Sequence, residues 1–280
     1  MKYHRLYISL LGIMLSAVLG GCSPQKKLAK QYVEQSSDWG VLVLMPENIF
    51  KFNERYDRDE KGMSQLSEFE KNQELLSQTL LMNTLNDSLV RVIFENTYLN
   101  TLRKYDVKVY TEPDFQDFYE RDSLSWIVNV AQLELQEFIE NYEDEDMFYG
   151  MSYMKVVPLN AINLAVWVEI SQLNQSNQEA KVYFTDQNLF DQLDSEFIYD
   201  FYTSQVNYYY SIDSLKTQDI YDFASFMGRL SASYTYDQIL NNKLEHKLPK
   251  TESEILFYRY DPFVKRLFST ESDRFILLEK

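Results

Sequence analysis

Two stretches, residues 126–138 and 161–173, constrain this chain most. The first opens apolar on both faces, through Trp126, Ile127, Val128 and Val130, and then alternates, with Ala131, Leu133 and Leu135 against Gln132, Glu134 and Gln136. Successive side chains of a strand point to opposite faces, so the pattern predicts one long strand. Residues 161–173 predict a second long strand. Residues 180–185 pair with it as a hairpin across the polar turn 174–178.

The other elements fall around that pair. Residues 40–45 form a short apolar run bounded by Gly40 and Pro46, which reads as a buried strand. Residues 107–110 and 153–157 read as further strands. Leu66, Phe69, Leu76, Leu80 and Met82 fall at roughly helical spacing over 64–85. Asn86, Asp87 and Ser88 offer N-cap chemistry to a second helix with Leu89, Val92, Ile93, Leu99 and Leu102 on one face. Asp213 and Ser214 suit the start of a long helix over 215–244, striped by Ile220, Phe223, Met227, Leu230, Tyr234 and Ile239. Residues 47–63 and the acidic stretch 140–146 read as loops, and 186–212 as a mixed segment rich in Tyr, Phe and Asp. This order predicts an α/β or α+β fold: a mixed, largely antiparallel sheet flanked by helices, with a helical and irregular C-terminal extension.

The N-terminus reads as an export signal. Lys2, His4 and Arg5 precede a nearly wholly apolar stretch, 6–19. As a helix it reaches about 21 Å at 1.5 Å per residue, short of the roughly 30 Å hydrocarbon core, so a signal-peptide core fits better than a membrane span. A short uncleaved anchor helix is the alternative.

Leu19, Gly20, Gly21 and Cys22 then resemble the lipobox of bacterial lipoproteins. The resemblance implies that the Cys22 thiol receives a diacylglycerol and that cleavage between Gly21 and Cys22 leaves Cys22 first. Two or more acyl chains hold a protein stably on a bilayer. Ser23 stands where an Asp would favour inner-membrane retention, and residues 23–27 lack the acidic run of surface-exported Bacteroidota lipoproteins. The expectation is therefore a lipid-anchored outer-membrane protein facing the periplasm, with surface display left open. The expected organisation is a signal peptide at 1–21, a lipidated linker at 22–38, an α/β domain at 39–185, and an extension at 186–280 packing on it. Element order over 38–185 is similar to the small α/β domain of curli-secretion and penicillin-binding-protein-activator lipoproteins. That likeness implies assembly with partners and transfers no catalytic residue.

Composition narrows the function. Lys and Arg number 27 against 43 Asp and Glu, a net charge of −16. Loss of 1–21 takes Lys2 and Arg5 and leaves 25 against 43, a net of −18. A polyanion wants a basic surface, so the charge argues against a nucleic-acid partner. The same charge repels the body from anionic lipid. Lys26, Lys27 and Lys30 form the one basic cluster near the anchor, and suit head groups or a solvated linker equally. A hydrophobic content of 45% argues against disorder. A single Cys excludes a disulfide framework and a Cys-based zinc site within the chain.

Catalytic motifs are not evident. Seven glycines leave no phosphate-binding loop of either common pattern. Gly150 and Ser152 stop short of a nucleophile elbow. His246 is the one histidine outside the export signal and reads as a solvated residue or a partner of a helix end. Asp186 with Asp191, or less readily Glu134 with Glu137, would be the carboxylate pair of a hydrolase. Glu143, Asp144, Glu145 and Asp146 have the composition of a Ca²⁺ site without its spacing. No metal or cofactor is expected. Aromatics make up 15% of the chain and crowd at Tyr202, Tyr208, Tyr209 and Tyr210. Core packing, a partner interface and a glycan platform all accommodate them. The favoured expectation is a non-enzymatic assembly or accessory factor of the cell envelope. A glycan-binding lipoprotein and a carboxylate hydrolase are the alternatives.

Overall fold

The computed structural model describes residues 24–55, 66–121, 124–173, 180–247, 257–270 and 275–278, with Glu68 and His246 described in backbone only. The fold is mixed α/β. A seven-stranded sheet is flanked by helices, and its antiparallel ladders hold most of the paired residues. Its strands are β1 (Gly40–Leu44), β2 (Phe50–Asn53), β3 (Lys108–Tyr110), β4 (Ser125–Phe148), β5 (Met151–Gln172), β6 (Lys181–Phe190) and β11 (Ile276–Leu278), in the order β11-β6-β5-β4-β1-β3, with β2 on β4. Strands β1 and β3, β1 and β4, and β2 and β4 run parallel. Two further hairpins stand apart: β7 (Gln192–Asp200) with β8 (Gln205–Asp213), and β9 (Phe257–Asp261) with β10 (Arg266–Thr270).

The helices are α1 (Pro24–Glu34), α2 (Glu68–Ser77), α3 (Asp87–Arg103), α4 (Phe115–Tyr119) and α5 (Thr217–Lys247). Asn86 caps α3 as its sequence suggests, its Oδ1 accepting the Leu89 N–H at 3.1 Å. Val90, Phe94, Tyr98 and Leu102 of α3 meet Ile220, Ala224, Met227 and Leu240 of α5 in one core with Val41, Val43, Val128, Val166 and Val168 of the sheet. Phe275, just before β11, joins the same core, so residues on both sides of position 185 share it. The two helices cross closely at Gly228, where a Cβ would lie 2.5 Å from the Phe94 carbonyl oxygen.

Several expectations change in three dimensions. Residues 22–38, read as a linker, contain α1. Leu28, Ala29, Tyr32 and Val33 recur on one helical face and pack on the core, with Ala29 fully buried. The stripe is narrow and its neighbours are Lys, Gln and Glu, so composition alone suggests a tether. The strand reading for 126–138 is correct but short, and Ala131 leaves its expected face. A β-bulge between Val130 and Gln132 exposes Ala131 and shifts the phase, so Trp126, Val128 and Val130 share the core with Leu133 and Leu135. The acidic stretch 140–146 is strand rather than loop, because residues 153–159 of β5 pair with it one for one. The mixed segment 186–212 holds the end of β6 and the β7–β8 hairpin.

Candidate functional site

β4 and β5 are 24 and 22 residues long, several times a usual strand. β6 stops at Phe190, opposite Ala161, and β2 stops at Asn53, opposite Glu137. Beyond those points ten residue pairs of the β4–β5 hairpin continue, about 34 Å at 3.4 Å per residue. The β7–β8 hairpin packs along them, and together the two hairpins make an arm.

Side chains join the two layers. Phe197 and Tyr208 pair across β7 and β8 with ring centroids 4.6 Å apart. Asp144 of β4 accepts hydrogen bonds from Ser195 Oγ at 2.6 Å and from the Tyr208 hydroxyl at 3.0 Å. Burial first, and then Asp144, raise the Tyr208 hydroxyl above its ordinary pKa. Towards the tip, Phe148 stacks on Tyr199 and Tyr149 meets the same ring edge-on.

The arm is rooted by a polar cluster that sequence reasoning missed. Glu137 is fully buried and accepts the backbone N–H groups of Leu80, Leu81 and Met82 at 2.7, 3.0 and 3.1 Å. Arg55 lies 3.5 Å from the same carboxylate and donates to Asn160 Oδ1 at 2.7 Å. Asn160 gives its backbone N–H and its side-chain amide to Asp191, whose other oxygen takes the Leu215 N–H. Glu137 and Asp191 thus bind β4, β5, the start of β7 and the approach to α5 into one joint. The signal for it was a charge, Glu137, in the phase of Leu133 and Leu135 on the core face.

The tip is apolar and bare. Tyr202 is 100% exposed, Phe201 76%, Tyr149 72% and Met147 68%, with Met151 and Met154 beside them. Tyr149 and Gly150 form the two-residue turn between β4 and β5, with φ of 52° and 81°. Positive φ at both positions favours Asn and Gly, so a tyrosine there is held against its backbone preference. At the second turn Asp200 accepts the N–H groups of Tyr202 and Thr203 at 2.7 and 3.3 Å. Those bonds, with the Thr203 hydroxyl, keep its carboxyl below the usual range.

The sequence-derived candidates are dispersed. Gly21 and Cys22 lie outside the described residues. Tyr208, Tyr209 and Tyr210 lie on β8, where alternation divides them. Tyr208 and Tyr210 stack with each other at 5.6 Å, and Tyr209 is exposed on the other face. Glu134 sits on the sheet face opposite Glu137, where Gln132 and Gln136 donate to it. Register brings Glu134 level with Asp186 across Ala165, and Asn163 donates to Asp186 at 2.8 Å. Asp191, the proposed mate of Asp186, belongs instead to the joint. Along β4, Glu143 and Glu145 face away from Asp144 and Asp146, so the four cannot converge on one ion. Among the described residues no group of three or more His, Cys, Asp or Glu side chains is arranged to hold a metal.

A cavity of about 540 Å³ opens where β6, β8 and α5 meet. Its acids serve their own neighbourhood: Asp213 pairs with Lys216 at 3.2 Å, Asp219 accepts the Lys216 N–H, and Asp222 accepts from Gln218. Among the described residues no helix is long and apolar enough to cross a membrane. Fold and site together define a mixed α/β body carrying a rooted, aromatic-tipped arm. No protein-family model matches the chain, and no curated protein does.

Proposed function

We propose that this chain is a lipid-anchored envelope protein whose arm holds a partner protein, and that it acts as a non-enzymatic assembly or accessory factor. The bare apolar tip carries the reading. Exposed aromatic and Met side chains at the end of a rigid element have the composition of an interface centre. Their acidic surroundings, Glu143, Glu145, Asp146 and Asp200, favour a partner with a basic rim over anionic lipid. The strand edges of the arm are a second means of attachment, since among the described residues no strand pairs with them and free backbone N–H and C=O groups accept an added strand. Pro158 and the run of acids guard those edges against self-pairing.

The anchor follows from the lipobox resemblance at Cys22. Acylation there tethers the protein to a membrane, and Ser23 with the missing acidic run at 23–27 favours the periplasmic side of the outer membrane over surface display. Labelled palmitate incorporated by wild type and not by Cys22→Ser supports the anchor; equal membrane recovery of both removes it. For the arm, a photo-crosslinking residue at Tyr202 is expected to capture one discrete envelope protein in cells, and Phe201→Asp to abolish the adduct. Labelling at Tyr202 that is unaffected by Phe201→Asp counts against a specific interface.

A further inference from the structure

We propose that the end of the body formed by α1 and the β9–β10 hairpin is a docking face for the anionic phosphate head groups of a bilayer, a role that rests on Cys22 as the anchor. A cavity of about 460 Å³ lies between these two elements. Lys26 and Lys30 line it from α1, and Lys265 and Arg266 from the hairpin. Glu34 is the one acid among the lining residues, 3.9 Å from Lys30. In a chain of net charge −16, four bases on one cavity are a marked local reversal.

The hairpin is fixed in place by α5. The Asn241 side chain donates to the Tyr258 carbonyl at 2.7 Å and accepts the Tyr258 N–H at 2.8 Å, and Asp237 accepts the Tyr260 N–H. At the following turn, Asp261 accepts the N–H groups of Phe263 and Val264. Its Oδ1 takes both bonds, and the two apolar side chains stand out, Phe263 at 76% exposure. Lys104 Nζ lies 5.0 Å from the Phe263 ring, and Lys265 and Arg266 follow in sequence. Apolar side chains flanked by cations have the chemistry of an interfacial anchor: the former enter the head-group boundary and the latter meet phosphate.

Chain geometry places this face at the anchor. Consecutive Cα atoms are 3.8 Å apart, so Cys22 lies within about 7.6 Å of Pro24, the first residue of α1. α1 packs against the far part of α5, where Lys243 lies over the Tyr32 ring, whereas the arm is rooted beside Leu215, just before α5 begins. Thr217 and Lys243 are about 39 Å apart along the helix. The basic face therefore flanks the C-terminal half of α5 and the arm is rooted beside its N-terminal end, so docking of the first holds that root away from the membrane.

The chain from Cys22 onward holds every described residue, and Cys22 is its only thiol. Coupled through that thiol to a maleimide lipid in vesicles, a Val264→Trp form reports depth by quenching from brominated acyl chains. Strong quenching is expected in phosphatidylglycerol vesicles, and little in phosphatidylcholine. Each base near an anionic surface contributes about fivefold to binding, so Lys265→Glu with Arg266→Glu is expected to abolish quenching. Lys155→Glu with Lys216→Glu, equal in net charge and placed on the arm and at its root, is expected to retain it. Equal quenching on neutral lipid, quenching on neither, or equal loss in both double variants overturns the proposal. The tether is chemical, so this result stands apart from whether cells acylate Cys22, which palmitate labelling decides separately.

Discussion

Tyr208 of β8 donates its hydroxyl to Asp144 of β4 across 3.0 Å, tying one hairpin of the arm to the other. The bond makes Tyr208 a fastener. Tyr208→Phe removes it while Ser195 still serves Asp144. A net loss of about 1 kcal/mol is expected, confined to the arm. Faster amide exchange in β7 and β8 with an unchanged global melt would show it.

Tyr149 gives a test that separates binding from folding. Its φ of 52° suits Asn or Gly better than Tyr. Tyr149→Asn is expected to stabilise the protein by about 0.5–1 kcal/mol and to weaken partner capture. A variant that is both more stable and fully competent to bind shows that the ring is not part of the interface.

Glu137 carries the opposite expectation. It is buried, accepts three backbone N–H groups and lies 3.5 Å from Arg55. Glu137→Gln keeps the shape, removes the charge and places a donor against donors. A loss of about 3 kcal/mol in urea unfolding is expected, since Arg55 is then left without its counter-charge.

Gly228 sets two effects against each other. Ala in place of Gly gains about 1 kcal/mol in a helix interior. Here the new methyl would meet the Phe94 carbonyl oxygen at 2.5 Å and the Thr97 hydroxyl closer still. Backbone cannot yield as a side chain does, so overpacking prevails. Gly228→Ala is expected to lower stability by about 1–3 kcal/mol in thermal or urea melts.

Lys243 makes stability depend on pH. Burial pushes its ammonium group down to about 8, with Asp38 opposing the shift. Its Nζ lies 4.0 Å from the Trp39 ring centroid and 4.7 Å from that of Tyr32. The folded pKa is below that of the unfolded chain, so between the two values the unfolded state binds more protons and stability rises with pH. Lys243→Met lacks this titration. From pH 7 to 9.5 wild type is expected to gain about 1 kcal/mol relative to Lys243→Met after allowance for solvent screening. A constant difference in urea melts across that range would refute the shift.

Much of the body was legible because its elements carry periodic signals. The helix at Asp87–Arg103 shows its cap and its stripe, and the hairpin of β5 with β6 shows two apolar runs, the polar stretch 174–178 between them lying outside the described residues. The arm was not legible. Residues 140–146 are as polar as any loop, and they form strand only because 153–159 supply a partner for each. Tyr208–210 is a triplet in sequence, and strand alternation separates it in space. The joint at Glu137 and Asp191 needs the backbone of residues 80–82, Arg55, Asn160 and Leu215 to meet, which no local pattern announces.

By itself the sequence determined the mixed α/β architecture and the position of its single thiol. Both are local properties: apolar periodicity writes strand and helix, and a short apolar run before Cys22 needs no fold to be recognised. Tertiary structure alone decided where the exposed aromatics gather, which carboxylates are neutralised by backbone amides, and that the bases of α1 meet those of the β9–β10 turn. Those are long-range pairings, and chain order does not encode a contact whose partners lie 55 or more residues apart, as Met82 and Glu137 do.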